Sequence, residues 1–560
     1  MNRLVNRRIR LLLAVLTFAF AGLLLRATWL QGVRASSLAR LGQTQHRETV
    51  ALPASRGTLY DRTGIELGLG ERATTVYANP KQIANPHAAA AAVEQTLGLD
   101  ANRVYPELAD QTRGFVYIER EADPAQAAAL QRLKIAGFGF YPEERRSYPQ
   151  GSVAAQVLGY VGIDGNGLAG LELQFDHQLS GRAGQETIVK DPAGRVIDVQ
   201  QQRPERPGRD VFLTVDHSIQ ANAEEVLRQT VEKWHAKSAS AVVLDPRTGG
   251  VLAMAVQPGY NANRYPSAPR DLQRNRTVTD TYEPGSTFKL ITVAAALSEH
   301  LVSPSTRFTL PYSLRVADRV IHDAEPRGTV NYSVAQILAH SSNIGAIELA
   351  EMVGRTRLSS WISRFGFGRV TGIDYPGESP GIVLPPDKWS GSTIGNVPIG
   401  QGIAVTPVQM AAAYAAIANR GVWSRPHLVD HVSGGGRPSL QRHRLVSPQV
   451  ASQLMLMLKD VVAEGTGTYA AMPGYQVAGK TGTAQKPDSH GGYATGRYVA
   501  SFVGIVPASR PRLVILVMVD EPQNAIWGGV VAAPAFQQIA RFDLQYLEVP
   551  PDAPTNAPTG

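Results

Sequence analysis

The chain contains no cysteine. This absence excludes a disulfide framework, a cysteine-ligated zinc site and a cysteine nucleophile. Lysine is scarce as well: only ten of the 55 basic residues are lysine, and the other 45 are arginine. No basic run is interleaved with aromatic residues outside the N-terminus, so the sequence does not favour nucleic-acid binding.

Enough apolar sequence is present to build several folded domains. The chain has 560 residues, of which 43% are hydrophobic and 18% are charged. At roughly 100–200 residues per domain, this length predicts more than one domain. The formal net charge is +8. Such a balance is typical of a solvated arginine-rich surface, and it is also compatible with attraction to anionic lipid or acidic wall polymers.

The N-terminus has the pattern of a membrane anchor. A short basic tail, residues 1–10, precedes an uncharged apolar run at residues 11–25. The run reaches a membrane-spanning length if it extends to Leu30, with Arg26 snorkelling and Trp29 at the interface. We therefore predict a transmembrane signal anchor over residues 11–30 with a cytoplasmic N-terminus. The alternative is a signal peptide cleaved after Ala19-Phe20-Ala21, but the apolar run continues past that site.

The rest of the chain divides into two predicted domains and a tail. Residues 31–205 are mixed in character, and the polar, proline-rich segment Gln201–Arg209 indicates a boundary. Residues 206–546 begin with a predicted β-hairpin and end with three strand-like runs and a helix, with helical sequence between. This order predicts an α+β fold in which about five antiparallel strands are covered by helices. Residues 547–560 have the composition of a disordered tail.

One serine stands three residues before a lysine, which places both side chains on one face of a helix. Among the ten lysines only Lys289 has a serine at that position, Ser286. The sequence that follows, Leu290–Leu297, is apolar and predicts a buried helix. Burial lowers the pKa of an amine, so we predict that Lys289 is neutral when no ligand is bound and can act as a base near neutral pH. A pattern this short is also expected about once by chance in a chain of this length.

Two further polar elements are ambiguous when taken singly. Ser341-Ser342-Asn343 lies between two apolar helical segments, where helix capping is the simpler explanation. Lys480-Thr481-Gly482-Thr483 lies on a predicted strand, where a lysine and a glycine also serve to protect an edge. Such a strand can instead pair with an extended ligand, with Lys480 facing a carboxylate.

Taken together, the three elements resemble the S-x-x-K, S-x-N and K-T-G motifs of penicillin-recognising serine enzymes. The R-G-x-x-x-D-R-x-G sequence at Arg56–Gly64 and the R-x-Y-P-x-G sequence at Arg146–Gly151 are similar to class B penicillin-binding proteins. The resemblance extends over residues 1–546. It includes the order of the domains: the membrane anchor, a pedestal (dimerisation) domain at residues 31–205 and a transpeptidase domain at residues 206–546. Glu-Pro-Gly before Ser286 and the modest length are more like the division-specific (FtsI-type) enzymes than the elongation-specific ones.

The resemblance implies a peptidoglycan D,D-transpeptidase that cross-links stem peptides through a serine acyl-enzyme. It assigns the attack on the D-Ala–D-Ala carbonyl to Ser286, the proton transfer from it to Lys289, and proton relay to Ser341. It assigns substrate binding to Asn343, Lys480, Thr481, Gly482 and Thr483, with the N–H groups of Ser286 and Thr483 as the oxyanion hole. No metal and no cofactor are implied, and β-lactams are expected to acylate Ser286 covalently.

The resemblance also implies a cellular setting. The expected location is the bacterial plasma membrane, with the catalytic domain on the periplasmic side and septal cell-wall synthesis as the role. The expected partners are a polytopic glycosyltransferase and other division proteins. Three alternatives stay open: an elongation-specific class B transpeptidase, a non-catalytic scaffold of a membrane complex, and a β-lactamase. The 160 or so residues between the anchor and the catalytic domain argue against a β-lactamase.

Overall fold

The computed structural model describes residues 2–34, 47–52, 54–190, 196–437, 439–488 and 491–553. The chain forms two compact units. The first unit combines residues 1–55 with residues 181–208, and the second combines residues 56–180 with residues 209–560. The predicted domain boundary near residue 205 stays a prediction.

A long apolar helix dominates the first unit. Helix α1 (Asn2–Thr28) continues into a π-helical turn, Trp29–Val33. The segment Val5–Val33 has a mean hydropathy of 2.1, is long enough to cross a membrane and has no buried residue. The same unit contains one three-stranded antiparallel sheet, formed by the strands Arg47–Leu52, Gly184–Lys190 and Val196–Arg203.

The second unit begins with a mixed sheet flanked by three helices. Six strands form this sheet: Leu59–Tyr60, Glu66–Ala78, Val116–Ala122, Phe138–Ser147, Val211–Leu213 and Val429–Val432. The helices are Pro86–Leu97, Ala101–Ala109 and Pro124–Arg132. The sheet thus includes strands from both sides of the predicted domain boundary.

A buried ion-pair network joins the two N-terminal motifs. Arg56 of the first motif donates to Glu172 Oε2 at 2.8 Å, and Arg146 of the second donates to Glu172 Oε1 at 2.7 Å. Glu172 is fully buried, and Asp176 accepts a further bond of 2.7 Å from Arg56. Removing one partner from such a network leaves an uncompensated buried charge, so the two motif arginines depend on each other structurally.

A five-stranded antiparallel sheet forms the centre of the second unit, as predicted. Its strands are β1 (Ser238–Leu244), β2 (Val251–Gln257), β3 (Ala478–Pro487), β4 (Tyr493–Val506) and β5 (Leu513–Asp520). Their spatial order is β2-β1-β5-β4-β3, so the β1–β2 hairpin meets β5 and leaves β3 at one edge. The predicted α+β fold is confirmed.

Both faces of this sheet are covered by helices. The covering and neighbouring helices are α2 (His217–Trp234), α3 (Lys289–Ser298), α4 (Asn343–Val353), α5 (Pro407–Ala418), α6 (Pro448–Ala463) and α7 (Ala533–Tyr546). Helices α2 and α7 pack on one face, and α5 packs on the other. Because both faces are buried, every residue of β1 is buried, and β5 is apolar from Leu513 to Val519 rather than alternating.

Shorter elements complete the second unit. Its short helices are Ala155–Leu158, Gly170–Gln174, Asp176–Leu179, Arg276–Thr279, Val334–Ala339, Arg355–Arg364, Thr393–Asn396 and Gly528–Val531. Its short strands are Arg307–Leu310, Ser313–Val316, Arg319–His322, Val330–Ser333, Val422–Ser424 and Arg442–Arg444.

The first part of the predicted disordered tail is held in place. Asp552 Oδ1 accepts a hydrogen bond from the backbone of Gln476 at 2.7 Å, and the hydroxyl of Tyr475 donates to Val549 O at 2.7 Å. Composition alone did not reveal these contacts, because their partners lie about 75 residues away in the sequence. Residues 554–560 of the predicted tail lie outside the described residues.

Candidate active site

Ser286 lies in a tight turn that leads into a buried helix. The 3₁₀ turn Gly285–Phe288 precedes α3, whose first nine residues are all buried. The sequence predicted that Ser286 opens the helix, and the structure places it one turn earlier with the same spacing to Lys289. Ser286 is half-buried, whereas Lys289 is completely buried.

Backbone atoms hold this turn on two sides. Gly285 has a φ of 54°, and its N–H donates to Gly400 O at 3.1 Å. A Cβ on Gly285 would lie 2.7 Å from Thr483 O on β3, and a Cβ on Gly400 would lie 2.1 Å from Gly285 O. Only glycine fits at both positions. The Gly400-Gln401-Gly402 loop, for which the sequence offered no function, therefore supports the turn that contains Ser286.

The amine of Lys289 joins two of the sequence motifs. Its Nζ lies 3.0 Å from Ser286 Oγ, 3.2 Å from Ser341 Oγ and 2.7 Å from Asn343 Oδ1, and it also contacts the carbonyl of Ser341. Burial lowers the pKa of Lys289 to about 7, and the charge of Asp323 acts in the opposite direction. An amine with this pKa is partly neutral at neutral pH and is suited to act as a base.

The S-x-N element lies in a strained loop between the helix Val334–Ala339 and α4. Ser341 has a φ of 59°, in the left-handed region that costs a non-glycine residue about 1 kcal/mol. Ser342 caps α4 by accepting from Gly345 N at 3.1 Å. Asn343 Nδ2 donates to His322 O at 2.9 Å, which turns the Oδ1 atom toward Lys289. Both ends of the Asn343 amide are therefore engaged within the protein in this state.

Asp323 holds this loop, and sequence reasoning missed it. Its carboxylate accepts from the backbone N–H groups of Asn343 and Ile344 and from the hydroxyl of Ser342. Arg327 forms an ion pair with Asp323 and also donates to three backbone carbonyls. The only sequence signal was an acid and an arginine four residues apart beside a proline, which by itself indicates a turn.

The K-T-G element lies on the edge strand β3. Lys480 is completely buried, and burial together with the charge of Lys289 lowers its pKa well below the ordinary value. Among the described residues, its Nζ hydrogen-bonds to Thr481 alone, at the carbonyl and at Oγ1 (3.2 and 3.3 Å). Neither Lys289 nor Lys480 has an ion pair within the described part of the chain. The pair of amines is thus suited to an incoming carboxylate, whose negative charge would stabilise their protonated form.

The two threonines and the glycine of this element contact the protein itself. Thr481 Oγ1 shares a hydrogen bond of 2.7 Å with Thr466, and Thr483 Oγ1 accepts from Gly528 N at 3.1 Å. Because Thr483 Oγ1 accepts, its own proton stays available to a ligand. A Cβ on Gly482 would lie 2.8 Å from Pro284 O, so Gly482 lets β3 approach the turn that contains Ser286.

Glu283, directly before the Pro284-Gly285-Ser286 turn, is a second residue that the motifs did not indicate. Its Oε1 accepts from Gly402 N at 2.9 Å and from the Tyr493 hydroxyl at 3.4 Å. Burial raises the pKa of Glu283. Glu283 thus ties the loop behind the turn to the first residue of β4.

The described residues include no group of three or more His, Cys, Asp or Glu side chains placed to hold a metal ion. What the arrangement offers instead is a serine next to a buried amine, a second buried amine beside an open strand edge, and backbone N–H groups at the turn. These are the parts needed for acyl transfer through a serine ester at a peptide with a terminal carboxylate.

Comparison with known proteins agrees with this chemistry. Residues 239–541 match the family model of the penicillin-binding protein transpeptidase domain, and residues 51–213 match that of the penicillin-binding protein dimerisation domain. The chain therefore belongs to the class B penicillin-binding proteins, and the predicted enzyme class, a serine-type peptidoglycan D,D-transpeptidase, is confirmed.

Relatives match over nearly the whole chain. The probable peptidoglycan D,D-transpeptidase PbpC of Pseudomonas aeruginosa is 33% identical over 99% of this chain and 98% of its own length. Peptidoglycan D,D-transpeptidase FtsI of Escherichia coli K12 is 32% identical over 98% of this chain and 94% of its own. The crystal structure of penicillin-binding protein 3 of Mycobacterium tuberculosis with aztreonam has a TM-score of 0.70 at 32% identity, covering 90% of this chain and 99% of that one.

Proposed function

We propose that Ser286 is the acylated nucleophile and that Lys289 is its base. The observation that carries this proposal is the position of Lys289 Nζ, 3.0 Å from Ser286 Oγ in a fully buried setting. Ser286 Oγ attacks the carbonyl carbon of the penultimate D-Ala of a stem peptide, and its proton passes to Lys289. Ser341, 3.2 Å from the same amine, returns a proton to the nitrogen of the terminal D-Ala as the C–N bond breaks.

The second half of the reaction uses the same groups in reverse. An amine of a second stem peptide attacks the Ser286 ester and loses a proton to Lys289 through Ser341. The new amide forms as the ester C–O bond breaks, and Ser286 Oγ regains its proton. The N–H groups of Ser286 and Thr483 are the proposed oxyanion donors, while Lys480 and the Thr483 hydroxyl bind the terminal carboxylate. Asn343 and Thr481 complete the proposed substrate contacts, and Gly482 keeps the turn and the strand close.

Intact mass after addition of benzylpenicillin tests the assignment of the nucleophile. We expect a long-lived adduct on the wild type and none on Ser286→Ala, while Ser452→Ala, an exposed serine on α6, keeps the adduct. A transient adduct with continuous drug hydrolysis would indicate a β-lactamase. Folded wild type without any adduct would favour the non-catalytic scaffold.

Septal rather than lateral wall synthesis is the proposed role. It is supported by Glu283-Pro284-Gly285 before the nucleophile, by the modest length and by the match to FtsI over almost both chains. Depletion in the organism that carries the gene is expected to give filaments without septa. Rounded cells that still divide would instead indicate the elongation-specific alternative.

We infer a single-pass location in the bacterial inner membrane with the catalytic domain outside the cytoplasm. The apolar segment Val5–Val33 supports a single membrane span, and the four arginines among residues 1–10, before the uncharged run at residues 11–25, support this orientation. A polytopic glycosyltransferase and other division proteins are the proposed partners. Alkaline phosphatase fused after residue 553 is expected to be active, and a fluorescent fusion before residue 2 to stay cytoplasmic; the opposite pattern would reject the orientation.

A further inference from the structure

A cavity of about 290 Å³ lies in the second unit and contains none of the proposed catalytic or substrate-binding residues. Phe365, Val370 and Trp423 form its apolar wall, while Arg369 and His443 contribute the charged and polar side. Val370 is half-exposed, so the cavity is accessible from the surface. Its size and lining suit one apolar side chain of a ligand rather than a large cofactor.

Four exposed arginines without a counter-ion lie at or near this cavity. Arg369 lines it, Arg364 lies close enough for its charge to act on His443, and Arg442 and Arg444 flank His443 along the same strand. None of them forms an ion pair with any described residue. Each donates instead to a backbone carbonyl, as Arg442 does to Arg247 O at 2.9 Å and Arg444 to Arg420 O at 2.8 Å. Hydrogen bonds to carbonyls fix the direction of a guanidinium group but leave its charge uncompensated.

Two acids of this region, Glu378 and Asp245, are already engaged. Glu378 accepts from the backbone N–H groups of Thr371 and Gly372, and Asp245 is paired with Arg247. The charges of Arg369 and Arg364, together with burial, lower the pKa of His443. The surface around the cavity is therefore strongly positive and complementary to an acidic ligand.

A free strand edge lies beside the cavity. Among the described strands, Arg442–Arg444 pairs with Val422–Ser424 alone, with Trp423 opposite His443, and all three of its residues are exposed. Its other edge pairs with no described strand, and Arg444 O there accepts a hydrogen bond from Arg364 at 3.4 Å. The other edge of such a strand offers main-chain donors and acceptors to an extended peptide. An extended peptide can form main-chain hydrogen bonds with such an edge, whereas a lipid headgroup or a free anion cannot add a strand to it.

We propose that this surface, defined by the Trp423 cavity and the strand Arg442–Arg444 and here called the arginine pocket, binds an extended acidic segment of a partner protein. One apolar side chain of that segment occupies the cavity. Its main chain pairs with Arg442–Arg444, and its flanking carboxylates face Arg369, Arg442 and Arg444. The charged part of this interaction weakens with added salt, whereas the apolar anchor does not.

A fluorescein-labelled heptapeptide of alternating Glu and apolar residues, acetyl-Glu-Val-Glu-Phe-Glu-Val-Glu-amide, is a suitable probe for the full-length protein in detergent micelles. Fluorescence anisotropy measures its affinity for the wild type and for the double variant Arg369→Glu with Arg442→Glu. The matched control is Arg510→Glu with Arg541→Glu, two exposed arginines away from the pocket that form no ion pair with described residues. We expect at least a tenfold loss of affinity for the first variant and less than a twofold change for the control.

A second variant distinguishes the contribution of the cavity to peptide binding from that of the charges. Val370→Phe narrows the cavity without changing the net charge, and we expect it to remove the preference for the probe over the same peptide with Ala in place of Phe. Equal weakening in the control variant, or no preference for Phe in the wild type, would overturn the proposal. Binding of phosphatidylglycerol vesicles but not of the peptide, lost in the Arg369/Arg442 variant, would overturn it in favour of a lipid surface.

Discussion

The hydrogen-bonding groups around Lys289 favour the neutral form of its amine. Two of its four contacts, Ser341 O and Asn343 Oδ1, are carbonyl oxygens that can only accept. A neutral amine has two N–H groups for these two acceptors and a lone pair for the proton of Ser286. The geometry therefore suits a base that is ready to accept a proton before substrate binds.

The pH dependence of acylation follows from this state. The pKa of Lys289 is lowered to about 7, so the neutral fraction grows as the pH rises through that value. We expect the second-order rate of acylation by benzylpenicillin to increase about tenfold per pH unit below 7 and to level off above it. The rate measured from pH 5 to pH 10 checks this, and a rise only toward the ordinary lysine value of about 10.4 would contradict it.

Asp323 is expected to act as a positioning residue. Asp323→Ala removes three hydrogen bonds from the S-x-N loop, so we expect acylation to slow by about tenfold or more, with Asp323→Asn partly restoring it. The charge of Asp323 also raises the pKa of Lys289, so both variants are expected to move the pH midpoint of acylation to lower pH. A loss of rate with an unmoved midpoint would indicate a purely structural role.

The K-T-G motif did not reveal how closely the strand β3 approaches the turn at Pro284. The sequence predicted a strand that can pair with an extended ligand, and the structure adds that the chain itself approaches Gly482 closely. A Cβ on Gly482 would lie 2.4 Å from Ser501 Oγ and 2.8 Å from Pro284 O. The distance between the substrate strand and the nucleophile turn thus depends on the missing side chain.

Gly482→Ala tests this dependence. The added methyl group displaces the turn at Pro284 from β3, so we expect a loss of acylation rate of tenfold or more with a smaller effect on folding. Gly114→Ala, at a position with nothing within 4 Å of the added Cβ, is the matched control and should keep the full rate. Equal rates for the two variants would show that the turn tolerates the displacement.

At the scale of the whole molecule, the segment after the second N-terminal motif is tied to the catalytic part. Asn263 exchanges two hydrogen bonds with the backbone of Tyr148, and the Tyr375 hydroxyl donates to Gln156 O at 2.6 Å. Glu224 on α2 accepts from Ala154 N at 2.9 Å and from Gln220 at 2.7 Å. The segment that begins at the motif Arg146–Gly151 therefore contacts three parts of the catalytic domain that are far apart in the sequence.

The connection at Glu224 should make stability depend on pH. Burial raises the pKa of Glu224 from 4.5 to about 7, so the folded state holds this proton longer than the unfolded state. The wild type should therefore lose stability as the pH rises from about 5 to 8, by on the order of 3 kcal/mol from this group. The Glu224→Gln variant has no carboxyl group to ionise at this position, so it should not lose this stability and should be more stable than the wild type at pH 8.

Urea unfolding followed by tryptophan fluorescence at pH 5 and pH 8 checks this prediction. Glu225→Gln is a matched control, because Glu225 lies next to Glu224 on the exposed side of α2 and binds Arg228. The control should not gain stability at the higher pH. An identical pH response of Glu224→Gln and the wild type would reject the prediction.

The sequence was sufficient where the signal is local or repeated along the chain. Strands β1 to β5, the buried helix after Ser286 and the spacing of Ser286 and Lys289 were all predicted, because burial leaves apolar runs and helices leave fixed intervals. Asp323 and its contact with Asn343 twenty residues away, Glu224 with Ala154, and the support of Gly285 by Gly400 were not. These contacts join residues whose meeting depends on the complete fold, and each residue alone is typical of a turn or a surface.

The two buried amines also affect the enthalpy of ligand binding and the pH dependence of affinity. Lys289 and Lys480 lie close enough to oppose each other's charge, so the empty site carries less than its full complement of protons. A carboxylate that enters supplies the missing counter-charge and draws a proton from the surrounding water. Calorimetric enthalpies should therefore vary with the ionisation heat of the buffer, and affinity for carboxylate ligands should fall as the medium becomes more alkaline. If the catalytic part faces outward as proposed, its affinity for the substrate would follow the acidity of the outside medium.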